Sequence, residues 1–158
     1  MIDGTYGQTI NAYLTLEEKR IHTAVSKAQI QYLCKFTNDM TKTIKYVYGK
    51  KMLHTDRYVN LDFLYHETEN VFTYKINFKP YGYWTYEVYE VSWLGSSTVT
   101  ADTAPSTEEQ VLSVSGANGV VKGRVEIGKV YINETSGSEQ IKYTKHEPST
   151  QTNYLYSN

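Results

Sequence analysis

Cysteine, proline and charge of one sign are what this chain has least of. A single cysteine, Cys34, among 158 residues rules out a disulfide framework. A chain of this length does not need one, because about 150 residues bury roughly two-thirds of the surface that the unfolded form exposes. Cys34 lies in Tyr32-Leu33-Cys34-Lys35-Phe36, between apolar positions on the face that alternation assigns to the core, and the sequence supplies neither the base nor the electropositive setting of a catalytic thiolate, so it reads as a small buried hydrophobe. Sixteen lysines and arginines against seventeen acids leave a formal charge of -1. That balance lacks the basic excess that phosphate-backbone binding requires, so nucleic acid is disfavoured as a partner. No run approaches the roughly 20 apolar residues of a membrane span, and Met1 to Gly7 lacks the basic-then-apolar layout of a signal peptide. We expect no membrane partner.

Chemical motifs are equally sparse. There is no Walker loop, G-x-G-x-x-G, G-x-S-x-G or H-E-x-x-H. His22, His54, His66 and His146 are scattered without short ligand spacing, and Asp56, Asp62 and Asp102 do not form a dense oxygen-ligand loop. The expectation is a protein that is not an enzyme, with no catalytic residue, no metal and no cofactor.

What the chain does have is tyrosine, 16 of them beside 4 phenylalanines and 2 tryptophans, a bias toward strands and contact surfaces. Period-two alternation recurs along the chain. It runs over Ile10, Ala12, Leu14 and Leu16; over Tyr32, Cys34 and Phe36, then Ile44, Tyr46 and Tyr48, as a hairpin closed by Asn38 to Lys42; and over Val59, Leu61, Phe63 and Tyr65. It is clearest over Phe72, Tyr74, Ile76 and Phe78, opposed by Thr73, Lys75, Asn77 and Lys79, and it returns over Trp84, Tyr86 and Val88. Glu17 to Gln31 reads as strand, then loop, in preference to a short helix. About six strands precede Trp93, with no helix long enough for a parallel crossover, so the architecture is antiparallel all-β. Val111 to Val114 is a short apolar run, and Val120 to Ile132 reads as strand with Gly123 and Gly128 marking bulges or close backbone approach. Gln140 to Tyr143 would return as a hairpin partner. The expected organisation is one domain over residues 1–158, with core strands over about 8–94, a loop over about 95–118 and closing strands and tail over about 119–158.

Gly82-x-Trp84-x-Tyr86-x-Val88 resembles strand F of immunoglobulin-like sandwiches, with Tyr86 as the corner aromatic and Val88 where antibody-type domains carry a cysteine. The fold expectation is therefore an antiparallel immunoglobulin-like β-sandwich with a C-terminal β-hairpin or arm. A wider resemblance rests on Leu14-Thr15-Leu16-Glu17-Glu18-Lys19, Tyr32 to Met40, Asp56-Arg57-Tyr58, Gly82 to Glu90, Gly123 to Lys129 and Gln140 to Tyr143. Together these resemble small virion-associated structural proteins of tailed phages of Bacteroidetes, including crAss-like phages. The resemblance spans roughly residues 8–158. The chain departs from that pattern between Arg20 and Gln31 and around residues 95–118.

That likeness implies a virion protein made in the host cytoplasm, foremost an auxiliary or decoration protein of the capsid, which contacts the major capsid protein or neighbouring particle subunits. A head-fibre, connector or tail component, or a carbohydrate-binding sandwich module with Tyr81, Tyr83 and Trp93 as its platform, is the alternative. The tyrosines outside core-facing alternation are the expected interface residues: Tyr58, Tyr81, Tyr83, Tyr89, Tyr154 and Tyr156. Tyrosine supplies contact area with a polar tip at low entropic cost. A basic patch over Lys42 to Lys51 facing packaged DNA is a minor alternative to a solvated face.

Overall fold

The computed structural model describes residues 1–135. The expected hairpin partner Gln140 to Tyr143 and the interface candidates Tyr154 and Tyr156 lie outside them. Among the described residues nine strands run in chain order: β1 (Ile2–Thr5), β2 (Ile10–Leu14), β3 (Ile30–Asn38), β4 (Ile44–Tyr48), β5 (Lys50–His54), β6 (Val59–Tyr65), β7 (Lys75–Ile76), β8 (Gly82–Ser92) and β9 (Val120–Asn133). They form a five-stranded sheet in the order β1-β9-β8-β3-β4 and a four-stranded sheet in which β2-β6-β5 run in order and β7 also pairs with β6. The expectation of an all-β molecule built from two sheets holds.

Alternation works where one face is buried and the other is wet. In β2, Ile10, Ala12 and Leu14 are buried while Asn11 and Tyr13 are exposed. From the facing sheet come Tyr32, Cys34 and Phe36 of β3, Trp84, Tyr86 and Val88 of β8, and Val130 and Ile132 of β9, all in one core with Val59, Leu61 and Phe63 of β6. Phe36 sits at its centre, edge to face with Phe63 at 5.3 Å and Phe78 at 4.9 Å, the arrangement that ring quadrupoles favour. Cys34 is buried here, and burial pushes its thiol pKa up.

A second core cluster lies on the opposite face of the five-stranded sheet. Leu33, Tyr48, Val91, Trp93 and Ala104 are buried there, with Phe72, Tyr74, Tyr89 and Val121 packed around them. Leu33 has the opposite parity to Tyr32 and Cys34 and so points away from the first core. The chain from Trp93 to Gly119 folds back over this face: Gly119 donates to the Thr103 carbonyl at 2.7 Å, and the Tyr48 hydroxyl donates to the Pro105 carbonyl at 2.8 Å. A Cβ on Gly119 would come within 2.5 Å of the Trp93 ring, so glycine is what lets the returning chain lie on the indole.

Several expectations need correction. The run read as the clearest strand, Phe72 to Phe78, is mostly not one. Val71–Thr73 is a 3-10 turn, the Asn70 side chain accepts from the Phe72 amide at 2.9 Å, and Tyr74 takes a left-handed φ of 66°. A local side-chain bond to the backbone competes with the ladder, so only Lys75–Ile76 is strand. Ile76 and Phe78 still reach the first core, while Phe72 and Tyr74 turn to the second. The pairing is not purely antiparallel either, because β1 joins β9 in parallel and β7 joins β6 in parallel. No strand lies between Leu14 and Ile30, where two 3-10 turns, Glu17–Lys19 and Lys27–Gln29, punctuate a loop. Val111 to Val114 lies in the expected loop, and Val111 and Val114 are among the most exposed apolar side chains.

Eight strands, not six, precede Trp93, since β1 and β5 escaped the pattern. Register shifts between Lys51 and Leu53 break the period of β5. Around Gly123, whose φ is 151°, β9 shifts register twice against β8, as expected of a bulge. Gly128 is a close approach, since a Cβ there would fall 2.5 Å from the Tyr86 hydroxyl. On β8 the Trp84 Nε1 donates to the Pro80 carbonyl four residues upstream at 3.0 Å, and Tyr86 packs in the first core. Val130 to Ile132 has β8 on one side and β1 on the other.

Candidate functional site

The four described tyrosines expected at an interface occupy three separate places. Tyr83 is 52% exposed on the outer face of the five-stranded sheet, directly across the ladder from Tyr131, with ring centroids 4.6 Å apart. Tyr89 shares that face but is half-buried against the second core cluster, and its hydroxyl donates to Glu87 at 2.8 Å. Burial, aided by the bond to the Glu87 carboxylate, pushes its pKa up to about 12. Tyr81 is half-buried at the rim where β6 ends and β8 begins, edge-on to Tyr6 at 4.9 Å, with the Lys79 ammonium over both rings at 6.0 and 5.8 Å. Tyr58, in the turn from β5 to β6, is half-buried beside Tyr13 at 5.7 Å. Tyr89 and Tyr81 are therefore mostly spent inside the molecule, while Tyr83 and the Tyr13–Tyr58 pair face outward.

Trp93 is not part of any platform. It is fully buried, because the chain it leads into folds over it, and this removes the tryptophan from the proposed sugar-binding surface. The pocket at the Tyr6 rim, lined by Tyr65, Phe63, Ile76 and Phe78 among others, measures about 10 Å³. That is room for about one water and none for a sugar ring.

The structure adds outward apolar residues that alternation did not single out. On the sheet of β2, β6 and β5, Tyr13 is 67% exposed and Leu53 is 48% exposed, and both lie in register with Asn60, so they form one row across the face, with Met52 exposed beside Leu53. The period of β2 did place Tyr13 outward. Met52 and Leu53 gave no such signal, because the register shift at that point scrambles the parity. On the five-stranded sheet, Ile44 and Ile127 are about half exposed.

Charges on the five-stranded face are paired within the chain. Asp39 accepts from Lys129 at 2.6 Å and from Thr85 at 2.8 Å, bonds that hold its carboxyl below the ordinary range. Arg124 bonds Glu87 at 2.7 Å and Lys35 pairs with Glu108. The expected basic patch from Lys42 to Lys51 is split. Lys45 bonds Glu69 and the Asn77 carbonyl, and Lys51 donates to the carbonyls of Lys27 and Ile30 at 2.8 Å each, leaving Lys42 and Lys50 as its exposed members.

At the opposite end of the sandwich from the Tyr6 rim, the loop between β2 and β3 is held by buried polar groups. Glu90, fully buried, accepts from the amides of Ile21 and His22 at 2.8 Å each. His54 bonds Glu17 at 2.6 Å, and Glu17 also pairs with Arg20. Burial lowers the His54 pKa from its ordinary 6.5, only partly opposed by the Glu17 bond, and Lys51 and Lys27 lower it further. Burial alone would raise Glu17, but the bonds from His54 and Arg20 and the charge of Lys27 outweigh it and hold the carboxyl below 4.5.

Both shifts have one sign in the linkage relation, since the unfolded chain binds more protons than the folded one across each titration. Their stabilisation is present above pH 6.5 for His54 and above 4.5 for Glu17, and is lost as pH falls through the folded values. The thermal midpoint should therefore fall as the buffer is taken from neutral toward pH 5, and His54→Gln should flatten that decline. A calorimetric pH series that shows equal slopes for both chains would contradict it.

Among the described residues, no three His, Cys, Asp or Glu side chains gather as a metal site, and no helix is long and apolar enough to cross a membrane. No protein-family model, curated protein or solved structure matches the chain.

Proposed function

We propose that the chain is an immunoglobulin-like β-sandwich that works by protein–protein contact as a structural component of a tailed-phage particle, foremost as an auxiliary protein of the capsid. The fold part of this reading is supported by strand order. With β2, β3, β4, β5, β6, β8 and β9 taken as strands B, C, C′, D, E, F and G, one sheet is G-F-C-C′ and the other is B-E-D, which fits the variable-type arrangement. The Trp84 bond back to Pro80 supplies the corner that a tyrosine makes in antibody domains.

The observation that carries the contact reading is the placement of large apolar and aromatic side chains in the open on both outer faces: Tyr13, Met52 and Leu53 on one, Ile44, Tyr83 and Ile127 on the other. Neighbouring charges on the second face are already satisfied, so what it offers a partner is apolar area and tyrosine hydroxyls, the chemistry of protein interfaces. The resemblance to virion-associated phage proteins supplies the particle, and the partner it points to is the major capsid protein or an adjoining subunit. The protein would be made in the host cytoplasm and found in the virion. Mass spectrometry of gradient-purified particles tests this. The expected result is the chain at a stoichiometry set by the particle's symmetry. Its absence from intact particles would remove the reading, and recovery with tail or fibre fractions alone would move it from capsid to those parts.

A further inference from the structure

Edge strands expose unpaired backbone donors and acceptors, and proteins protect them with charge, proline, bulges or a cover. Most edges here are protected. The outer side of β4 is covered by the Val71–Thr73 turn and β7, with Phe72 stacked on Tyr48 and Lys45 bonded to the Asn77 carbonyl. β5 carries Lys50 and Lys51 and a register break. β1 is four residues long and includes Asp3. The stretch of β9 beyond β1 carries Lys122, Arg124, Glu126 and Lys129 and two register shifts. β2 is different. It pairs with β6 on one side, residue for residue and without a shift, and no described residue pairs with its other side. From Thr9 to Thr15 it has no charge, no proline and no glycine.

That segment is also close to a chemical palindrome. Thr9-Ile10-Asn11-Ala12-Tyr13-Leu14-Thr15, laid antiparallel on a second copy with Ala12 opposite Ala12, sets threonine against threonine, Ile10 against Leu14 and Asn11 against Tyr13. The buried residues Ile10, Ala12 and Leu14 then continue the apolar face, and the exposed Asn11 and Tyr13 continue the polar one. No other copy's charge comes opposite any of the seven residues. A two-fold interface requires a surface that complements itself, and a one-residue slip would turn every side chain to the wrong face.

We propose that two copies of the chain join edge to edge through β2, forming one continuous sheet that runs β5-β6-β2-β2-β6-β5, with β7 of each copy on its own β6. The occupant of the open edge is the same strand of a second copy. The pairing satisfies the free backbone groups of β2 and places Tyr13 and Tyr58 of both copies along the seam. It does not depend on the particle reading, because the isolated chain should show it.

Sedimentation equilibrium of the full chain should give a concentration-dependent dimer. Asn11→Lys together with Tyr13→Lys puts lysine opposite lysine twice across the two-fold and should raise the dissociation constant at least about tenfold. Asn11→Lys with Tyr13→Glu makes both pairs opposite in charge and should restore the dimer, which separates pairing from simple loss of fold. Cross-linking gives the register: Asn11→Cys mixed with Tyr13→Cys should form a disulfide dimer under mild oxidant, and neither variant alone should. A monomer at every concentration, a dimer indifferent to the two lysines, or cross-linking without mixing would each overturn the proposal.

Discussion

Phe36→Ala is expected to lower the unfolding free energy by about 3–5 kcal/mol, the cost of removing a buried aromatic and leaving its cavity. Phe36 is buried in β3 and meets Phe63 from the opposite sheet, Phe78 from the segment after β7, and Tyr86 from β8. No relaxation of one strand alone can fill that space, since the contacts come from both sheets. Set against a typical total of about 5–15 kcal/mol, the loss would bring the sandwich close to unfolding at room temperature. Urea titration should show the midpoint falling with little change in slope. Phe36→Leu keeps most of the volume and should cost less than about 1.5 kcal/mol if the core repacks. A loss under about 1 kcal/mol for the alanine variant would mean that the two sheets do not share this core.

The second large effect belongs to Trp93→Ala, expected to cost a further about 3–5 kcal/mol but with a different signature. Trp93 is fully buried on the far side of the five-stranded sheet, under the chain that returns at Gly119. Its Nε1 has no hydrogen-bond partner among the described residues, so what holds residues 95–118 on the indole there is packing. Its loss should therefore free that segment before the sheets open, as local unfolding of a weakly held unit. Limited proteolysis read by mass spectrometry should show early cleavage between residues 95 and 118 in the variant and protection there in the wild type. Trp93→Phe, which sacrifices no hydrogen bond, should stay largely protected. An unchanged cleavage pattern in the alanine variant would contradict the role assigned to the second core cluster.

The same two residues show what the sequence could and could not reveal. Phe36 was legible because β3 has an inner face of Tyr32, Cys34 and Phe36 set against less buried Lys35 and Thr37, and period two reports such a contrast directly. Trp93 was not, because alternation tells which side of a strand a residue occupies and not whether a distant loop covers that side. For the same reason Tyr83 and Tyr89 looked equivalent on β8, although only Tyr83 stays in the open. The failure at Phe72 to Phe78 is local: one asparagine side chain and one left-handed tyrosine end a pattern that hydrophobicity alone would continue. At β5 a register shift hid Met52 and Leu53, which then proved to extend the outward row from Tyr13. The strand order, and the edge of β2 that no described residue pairs, are properties of long-range pairing, and no local periodicity encodes them.

The most direct test of a structural role in a particle is a cryo-EM map of the purified virion, resolved well enough to place side chains. A contact role predicts the sandwich in the map, with the Tyr13 and Leu53 row or the Tyr83 and Tyr131 pair buried against a neighbouring subunit. Particles that lack the chain, or that carry it with both faces open to solvent, would contradict it.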